Sequence, residues 1–367
     1  MMVMFIGTLE DSGIDRYSQE LSKRIGVPTV ETHRYLSLKE SLRLLRKVRQ
    51  TGHLVHFPSQ HFARYGLFLN KPFIVTVHDL VRLCIRLERE DIQERIGLKL
   101  DCLGLKRAKH IITVSECTKA DLIRYLKITE SKISVIYNGV DRSVFKPVLG
   151  RHFEFPYVLY VGTERPRKDF GTLLEAFVAL KREANQCRNL KLVKVGNAGR
   201  SDQFRQATLV QISRLGLEGQ VIFTNYVSDM VLARLYSSAV ALVIPSLYEG
   251  FGLPVIEAMA CGCPIIASNS SSLPEVAGDA ALFFTPKDVL ELAHCLRRLI
   301  VDPYLRNELI VKAFERVSRF TWEKAARETL DVYRRVGANR PWNVITATVQ
   351  GKAIKREPDT SSVGITN

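Results

Sequence analysis

The 367-residue sequence is most easily bounded by what it lacks. It has no run near the roughly 20 apolar residues that span a bilayer. The opening "MMVMFIG" is too short for a signal-peptide core, has no basic leader, and reads as a first strand. No CxxC pair occurs; the seven cysteines are odd in number, and "CGC" at Cys261 and Cys263 is the only close pair. Small buried thiols in a reducing compartment are the expectation, not a disulfide framework or a zinc site. No Asp-x-Asp occurs, and the His and Cys spacings make no metal site. Acidic residues are the scarcer charge, 38 Asp+Glu against 53 Lys+Arg, for a net charge of +15. That surplus invites an anionic partner. No zinc-finger, RNP or basic-zipper pattern accompanies it, so an anionic substrate or a membrane surface is expected rather than nucleic acid.

A chain of this length exceeds one hydrophobic core, so two domains are expected. Short β-branched apolar runs recur at 3–7, 54–57, 73–78, 110–115 and 133–140. Stretches of helical spacing separate them, such as 37–50 and 92–109. The pattern restarts at 157–162, 190–196, 220–227, 240–246, 264–268 and 281–284. Continuous apolar strands alternating with helices predict parallel sheets covered on both faces. The fold class is therefore α/β, two doubly wound Rossmann-like domains facing each other across a cleft. Ligands of such sheets bind outside the carboxyl ends of the strands. The expected boundaries are 1–148 and 152–320, with a helix near 322–336 packing back on the first domain. The segment 338–367 turns polar and is expected to be a partly disordered tail.

The stretch "YEGFGLPVIEAMACGCPII" (248–266) sets two carboxylates among glycines and a proline. Pro254 suits the first turn of a helix, and Gly252 lets the backbone turn tightly before it. The free N–H groups and dipole at "GLP" then favour an anion such as phosphate. Glu257 lies about one turn into that helix, and Glu249 precedes the turn. A carboxylate accepts hydrogen bonds from hydroxyls and does not itself bind phosphate. Two carboxylates flanking a phosphate cradle thus suit a sugar on one side of a diphosphate and a ribose on the other. Taken alone, the same spacing also fits a solvated loop glutamate and an exposed helix glutamate. The basic "RPRK" (165–168) is either a cation cluster for a diphosphate or a solvated turn.

The block "EGFGLPVIEAMACGCPIIAS" resembles the E-x7-E signature of the retaining glycosyltransferases of family 4, the group 1 glycosyl transferases on the GT-B fold. The resemblance extends from "SGIDRYSQEL" through "VTVHDL" and "ISVIYNGVD" to "YVLYVGTERPRKDFGTLLEAF" and "SSLPEVAGDAALFFTPKD", over roughly residues 3–335. It implies that Glu249 meets hydroxyls of the donor sugar and Glu257 holds the ribose. The N–H groups of Gly252 and Leu253 would meet sugar or diphosphate. Lys168 matches the family lysine. Where many relatives carry an arginine after the strand glycine, this chain has Thr163, so Arg167, or else Arg165, supplies the second cation. His78 would lie near the donor sugar across the cleft, Gly13 beside the phosphates, and Tyr226, after Asn225, along the base. Asp15 replaces the second glycine of the glycine-rich loop.

The resemblance implies a hexosyltransferase acting by front-face attack with retention, with no metal and no cofactor beyond the co-substrate. That co-substrate is GDP-mannose or a UDP-sugar, and the acceptor a glycan or lipid-linked intermediate of cell-surface polysaccharide synthesis. The expected location is the cytoplasm, with the inner face of the cytoplasmic membrane as a docking surface. The helix at 37–50 offers Leu38, Leu42, Leu45 and Val48 beside Lys39, Arg43, Arg46, Lys47 and Arg49. It reads either as a face resting on anionic lipid or as a basic helix packed on its sheet. Two rival activities remain: a nucleotide-sugar epimerase or hydrolase of the same fold, and a binding protein without turnover.

Overall fold

The computed structural model describes residues 3–8, 13–27, 29–32, 36–50, 54–85, 91–183, 187–199 and 201–337. The expected tail at 338–367 lies outside the described residues. Among the described residues, twelve strands form two all-parallel sheets of six, each covered by helices on both faces.

The first domain runs β1 (Val3–Thr8), α1 (Gly13–Ile25), β2 (Thr29–Thr32), α2 (Leu38–Gln50), β3 (Leu54–Phe57) and a 3-10 segment (Gln60–Phe68). It continues through β4 (Phe73–Val77), α3 (Val81–Cys84), α4 (Ile92–Arg107), β5 (His110–Thr113), α5 (Glu116–Leu126) and β6 (Ile133–Val135). The second runs β7 (Tyr157–Val161), a 3-10 turn (Pro166–Lys168), α6 (Phe170–Glu183), β8 (Lys191–Val195), α7 (Asp202–Arg214), β9 (Val221–Asn225) and α8 (Asp229–Ser238). Then come β10 (Ala241–Ile244), α9 (Leu253–Ala260), β11 (Ile265–Ser268), α10 (Leu273–Ala277), β12 (Ala281–Phe284), α11 (Val289–Val301), α12 (Pro303–Val317) and α13 (Trp322–Gly337).

The sheet orders are β2-β1-β3-β4-β5-β6 and β12-β11-β10-β7-β8-β9. Each reverses direction once, between β1 and β3 and between β7 and β10. Those reversals open a crevice at the carboxyl ends of the strands, where an α/β sheet binds its ligand. β3, β4, β5 and β10 are buried along their whole length, which is why they read as unbroken apolar runs. β2 is an edge strand, "TVET", with only Val30 buried, so no apolar run announced it. The expected strand at 133–140 is shorter, Ile133–Val135, because the chain then leaves the sheet and Val140 N–H bonds Phe320 O at 3.1 Å, where α12 leads into α13.

α13 returns to the first domain and packs on α1, burying Trp322, Ala325, Ala326, Val332 and Tyr333 against Phe5, Tyr17 and Leu21. A buried polar chain runs through this core. Tyr333 Oη meets His56 Nδ1 at 2.6 Å, His56 Nε2 meets Thr76 Oγ1 at 2.8 Å, and Thr76 Oγ1 meets Tyr17 Oη at 2.9 Å. The Tyr17 ring stands edge-on to His78, centroids 4.8 Å apart.

α2 packs on the core of its domain. Leu44 and Val48 are buried in the domain core and Leu45 packs against it, leaving Leu42 exposed among the arginines. Its apolar face is largely spent on the sheet.

Candidate functional site

The carboxyl ends of both sheets face one another across a cleft of about 1930 Å³. All ten residues singled out from the sequence line it: Gly13 and His78 from the first domain, and Arg165, Arg167, Lys168, Tyr226, Glu249, Gly252, Leu253 and Glu257 from the second.

Glu249 follows β10 and is nearly buried. Its Oε1 meets Lys168 Nζ at 2.5 Å and accepts from Ser246 Oγ at 2.7 Å. The backbone is held as firmly: Glu249 N–H donates to Ser271 Oγ at 2.7 Å, and Ser272 Oγ donates to Glu249 O at 2.9 Å. Lys168 ends the 3-10 turn after β7. That turn is tied to the Glu249 loop by Leu247 N–H on Arg167 O at 2.8 Å. Arg167 Nη1 donates to Tyr248 O at 3.2 Å and lies 3.7 Å from Glu249 Oε2. Its Nε is buried without a protein partner. Burial alone would lift the Glu249 carboxyl, but Lys168 and Arg167 outweigh it and hold the group below the ordinary carboxylate range. Burial draws the Lys168 ammonium below its usual value, an effect that Arg167 adds to and Glu249 opposes. Two cations therefore converge on one carboxylate, with Asp79 of the first domain a further negative charge acting on Lys168 across the cleft.

The turn just before this cluster is anchored by a buried ion network. Glu164 accepts from Lys194 Nζ at 2.8 Å and from Arg205 Nε at 2.8 Å, and the Arg205 guanidinium lies 4.3 Å from the Phe223 ring centre.

α9 begins at Leu253 with Gly252 as its cap, at a φ of 98° that a side chain would strain. Val255 N–H is already bonded to Gly252 O, and Pro254 has none, so the N–H groups of Gly252 and Leu253 head the helix. Glu257 is buried one turn further along. Burial pushes its carboxyl up, offset by Arg16 and by Tyr236 Oη, which donates to Oε2 at 3.0 Å.

Arg16 is the residue that the sequence reading missed. From α1 in the first domain it crosses the cleft, pairing through Nη1 with Glu257 and through Nη2 with Asp229 at 2.5 Å. Its guanidinium also lies 5.4 Å from the Phe145 ring centre. No local motif marks it, since its partners are 241 and 213 residues away.

Other contacts bring the domains together beside the site. Ser115 Oγ donates to Gly250 O at 2.7 Å, Tyr248 Oη donates to Asp121 Oδ2 at 2.5 Å, and Glu275 accepts from Glu116 N–H at 2.7 Å at the start of α5. His78 is buried at the cleft wall, its Nε2 donating to Pro58 O at 2.7 Å. Tyr226 is exposed at the cleft edge after Asn225, whose φ of 53° is left-handed, a conformation asparagine takes more readily than most residues. Asp15, in place of a loop glycine, is fully buried in the first turn of α1. Among the described residues no group of three or more His, Cys, Asp or Glu side chains is placed to hold a metal ion.

Comparison with known proteins agrees with this arrangement. Residues 4–144 match glycosyltransferase family 4, and residues 141–316 match the glycosyl transferases group 1. The chain is 31% identical to the O-antigen chain mannosyltransferase B of Escherichia coli, over 88% of this chain and 96% of that protein. It is 34% identical to an MMP alpha-(1->4)-mannosyltransferase of Mycolicibacterium hassiacum, over 63% of this chain and 55% of that one. Among solved structures, sucrose-phosphate synthase from Thermosynechococcus elongatus superposes with a TM-score of 0.75 at 23% identity, covering 93% of this chain and all of that one. Anabaena HepE in complex with UDP-glucose superposes with a TM-score of 0.76 at 18% identity, covering 91% and 100%. With two family matches that together span most of the chain and a relative aligned along nearly its whole length, the protein belongs to the group 1, family 4 glycosyltransferases and has their GT-B fold.

Proposed function

We propose that the protein moves a hexose, with mannose the leading candidate, from a nucleoside-diphosphate sugar to a glycan or lipid-linked acceptor in cell-surface polysaccharide synthesis. Transfer proceeds with retention of configuration. The observation that carries this reading is the convergence of Lys168, Arg167 and the N-terminus of α9 beside the Glu249 carboxylate. Departure of a nucleoside diphosphate builds negative charge, and fixed cations and N–H groups stabilise it without reorganising. Lys168 is shared between that charge and Glu249. The Glu249 carboxylate, ionised at neutral pH, accepts hydrogen bonds from donor-sugar hydroxyls. Glu257 accepts from the ribose, and His78 faces the sugar from the other domain. In this reading the chain's own cations neutralise the leaving group, and no bound metal is needed. Mannose is favoured because the E. coli and Mycolicibacterium relatives are mannosyltransferases by name. HepE, crystallised with UDP-glucose, keeps a UDP-sugar in play.

The test begins with thermal shift against GDP-, UDP-, ADP- and dTDP-sugars, with and without EDTA, because a ligand of the native state raises the melting temperature. Donor binding should survive EDTA. With the donor identified, calorimetry on the bare nucleoside diphosphate is set beside turnover. Glu249→Gln loses a charge-assisted hydrogen bond worth about 1.5–3 kcal/mol. It should cut turnover tenfold or more while leaving nucleotide affinity unchanged. Lys168→Ala should weaken both, and Glu257→Ala should weaken nucleotide with or without sugar. A Glu249 variant with poor nucleotide affinity and normal turnover at saturating donor would overturn the assignment. Sugar release without an acceptor at the full rate would identify a hydrolase instead.

A further inference from the structure

Three segments of the cleft wall rest on one buried triad of charges. The side chains of Lys194 and Glu164 are wholly buried. The Lys194 ammonium has three acceptors, Glu164 Oε1 at 2.8 Å, Asn197 O at 3.0 Å and Gly196 O. Glu164 also accepts from Arg205 Nε and Nη2, each at 2.8 Å, and its own N–H donates to Ala198 O at 3.0 Å. Burial lifts the Glu164 carboxyl, but Arg205 and Lys194 outweigh it and hold the group below the ordinary carboxylate range, so it is ionised at neutral pH. Replacing a buried ion pair by apolar side chains of similar volume is often neutral or stabilising, so stability alone does not account for this one.

The triad joins the segments that follow β7, β8 and β9, and each ends in cleft-lining residues. Glu164 leads into Arg165, residues 196–199 lead toward Ser201, Gln203 and Phe204, and the Arg205 guanidinium lies over Phe223 of β9, just before Asn225 and Tyr226. The backbone above the triad is irregular. Lys194 pairs with Phe223 but Val195 with Asn225, a one-residue bulge at Thr224, and bulges of this kind re-aim side chains beside a site. Gly196, Gly199 and Asn225 take positive φ, 107°, 123° and 53°, and Gly196 N–H donates to Asn225 O at 2.6 Å. A non-glycine residue such as Asn225 keeps that conformation only where its surroundings over-determine it. A Cβ at Gly199 would stand 3.0 Å from Arg165 Cγ and 3.4 Å from Phe204 Cδ2, so those two side chains meet across this turn. Lys168 and α9 follow β7 and β10, so a diphosphate between them has the β8 and β9 turns to one side. Arg165, Phe204 and Tyr226 offer the planar faces on which a nucleobase stacks.

We propose that the Lys194–Glu164–Arg205 triad is a positioning unit that holds Arg165, Phe204 and Tyr226 around the nucleobase and so decides which base the cleft accepts. This rests on the nucleoside-diphosphate reading above. Stacking faces tolerate any base, so discrimination depends on where the walls and their polar groups stand, which is what the triad fixes. The test is calorimetric affinity for GDP, UDP, ADP and dTDP, measured on the parent, on Lys194→Met/Glu164→Gln and on Arg205→Gln, with melting curves to check folding. The parent should bind one of the four at least about tenfold better than the weakest, and in the double variant all four should come within about threefold of one another. Arg205→Gln keeps the Lys194–Glu164 pair and should narrow the spread at least about threefold; it decides the matter if the double variant does not fold. A triad serving stability alone would lower the melting temperature, or weaken all four by one common factor, and keep the spread. An unchanged spread in a folded variant, or a parent that binds the four alike, overturns the proposal and leaves the nucleotide-sugar reading standing. A parent that binds none of the four overturns both.

Discussion

Gly250→Ala tests whether the juxtaposition of the two domains is the one that supports turnover. A Cβ at Gly250 would stand 1.8 Å from His78 O and 3.0 Å from Asp79 Cβ. An ordinary carbon–oxygen approach is about 3.3 Å, so the two loops must part by about 1.5 Å. His78 closes β4 in the first domain and Gly250 follows β10 in the second. The strain is therefore relieved by opening the cleft, with neither core disturbed. Opening gives up the Ser115–Gly250 hydrogen bond and strains the Tyr248–Asp121 bond beside it. Such bonds are worth about 0.5–1.5 kcal/mol each, a melting shift of a few degrees. Turnover is far more sensitive, since a displacement of about 1 Å near reacting groups can cost about 100-fold. The assay is release of nucleoside diphosphate with donor and acceptor present, beside a melting curve. The expected result is a loss of about 100-fold with the fold kept. A variant that melts normally and turns over within about threefold of the parent would refute the reasoning, because catalysis would then not need the domains this close.

Arg16→Gln should leave Glu257 buried with Tyr236 as its remaining partner and Asp229 as a like charge nearby, moving its carboxyl further up. As pH is lowered, nucleoside diphosphate affinity, measured by calorimetry, should then begin to fall at a higher pH than in the parent; superimposable profiles would mean that Arg16 does not act on Glu257. His56 is buried neutral and pushed down to about 3, by burial first and by His78 second. Its folded value lies below the unfolded value of about 6.5, so the unfolded chain binds more protons and stability is lost as pH falls from about 6.5 toward 3. At pH 5 that loss is about 2 kcal/mol, so His56→Gln, although less stable at pH 7, should show a flatter urea midpoint between pH 7 and pH 5. An equally steep acid loss in both proteins would disprove it.

Much of the scaffold could be read in advance because a parallel strand buried on both faces must be apolar throughout, as in "FIVTV" at Phe73–Val77. β2 escaped because an edge strand buries a single side chain, and four residues carry no period. The placement of cleft residues was equally legible where it is local: Gly252 caps α9, Pro254 lies in its first turn and Glu257 one turn further on, as helix geometry requires. Arg16 was not legible, because its meaning arises only when α1 is carried across the cleft to Glu257 and Asp229. The two basic amphipathic helices show the same division. By sequence, 37–50 and 92–107 each present leucines or isoleucines among cations. In the fold, Leu44 and Val48 of α2 cover the sheet, while Ile92, Ile96, Leu100 and Leu103 of α4 remain outside. Periodicity determines that a helix has an apolar face. Which neighbour consumes that face depends on how the elements pack, since a helix with glycines and Asp101 turned inward can fill its contact and still keep a second apolar row for another surface.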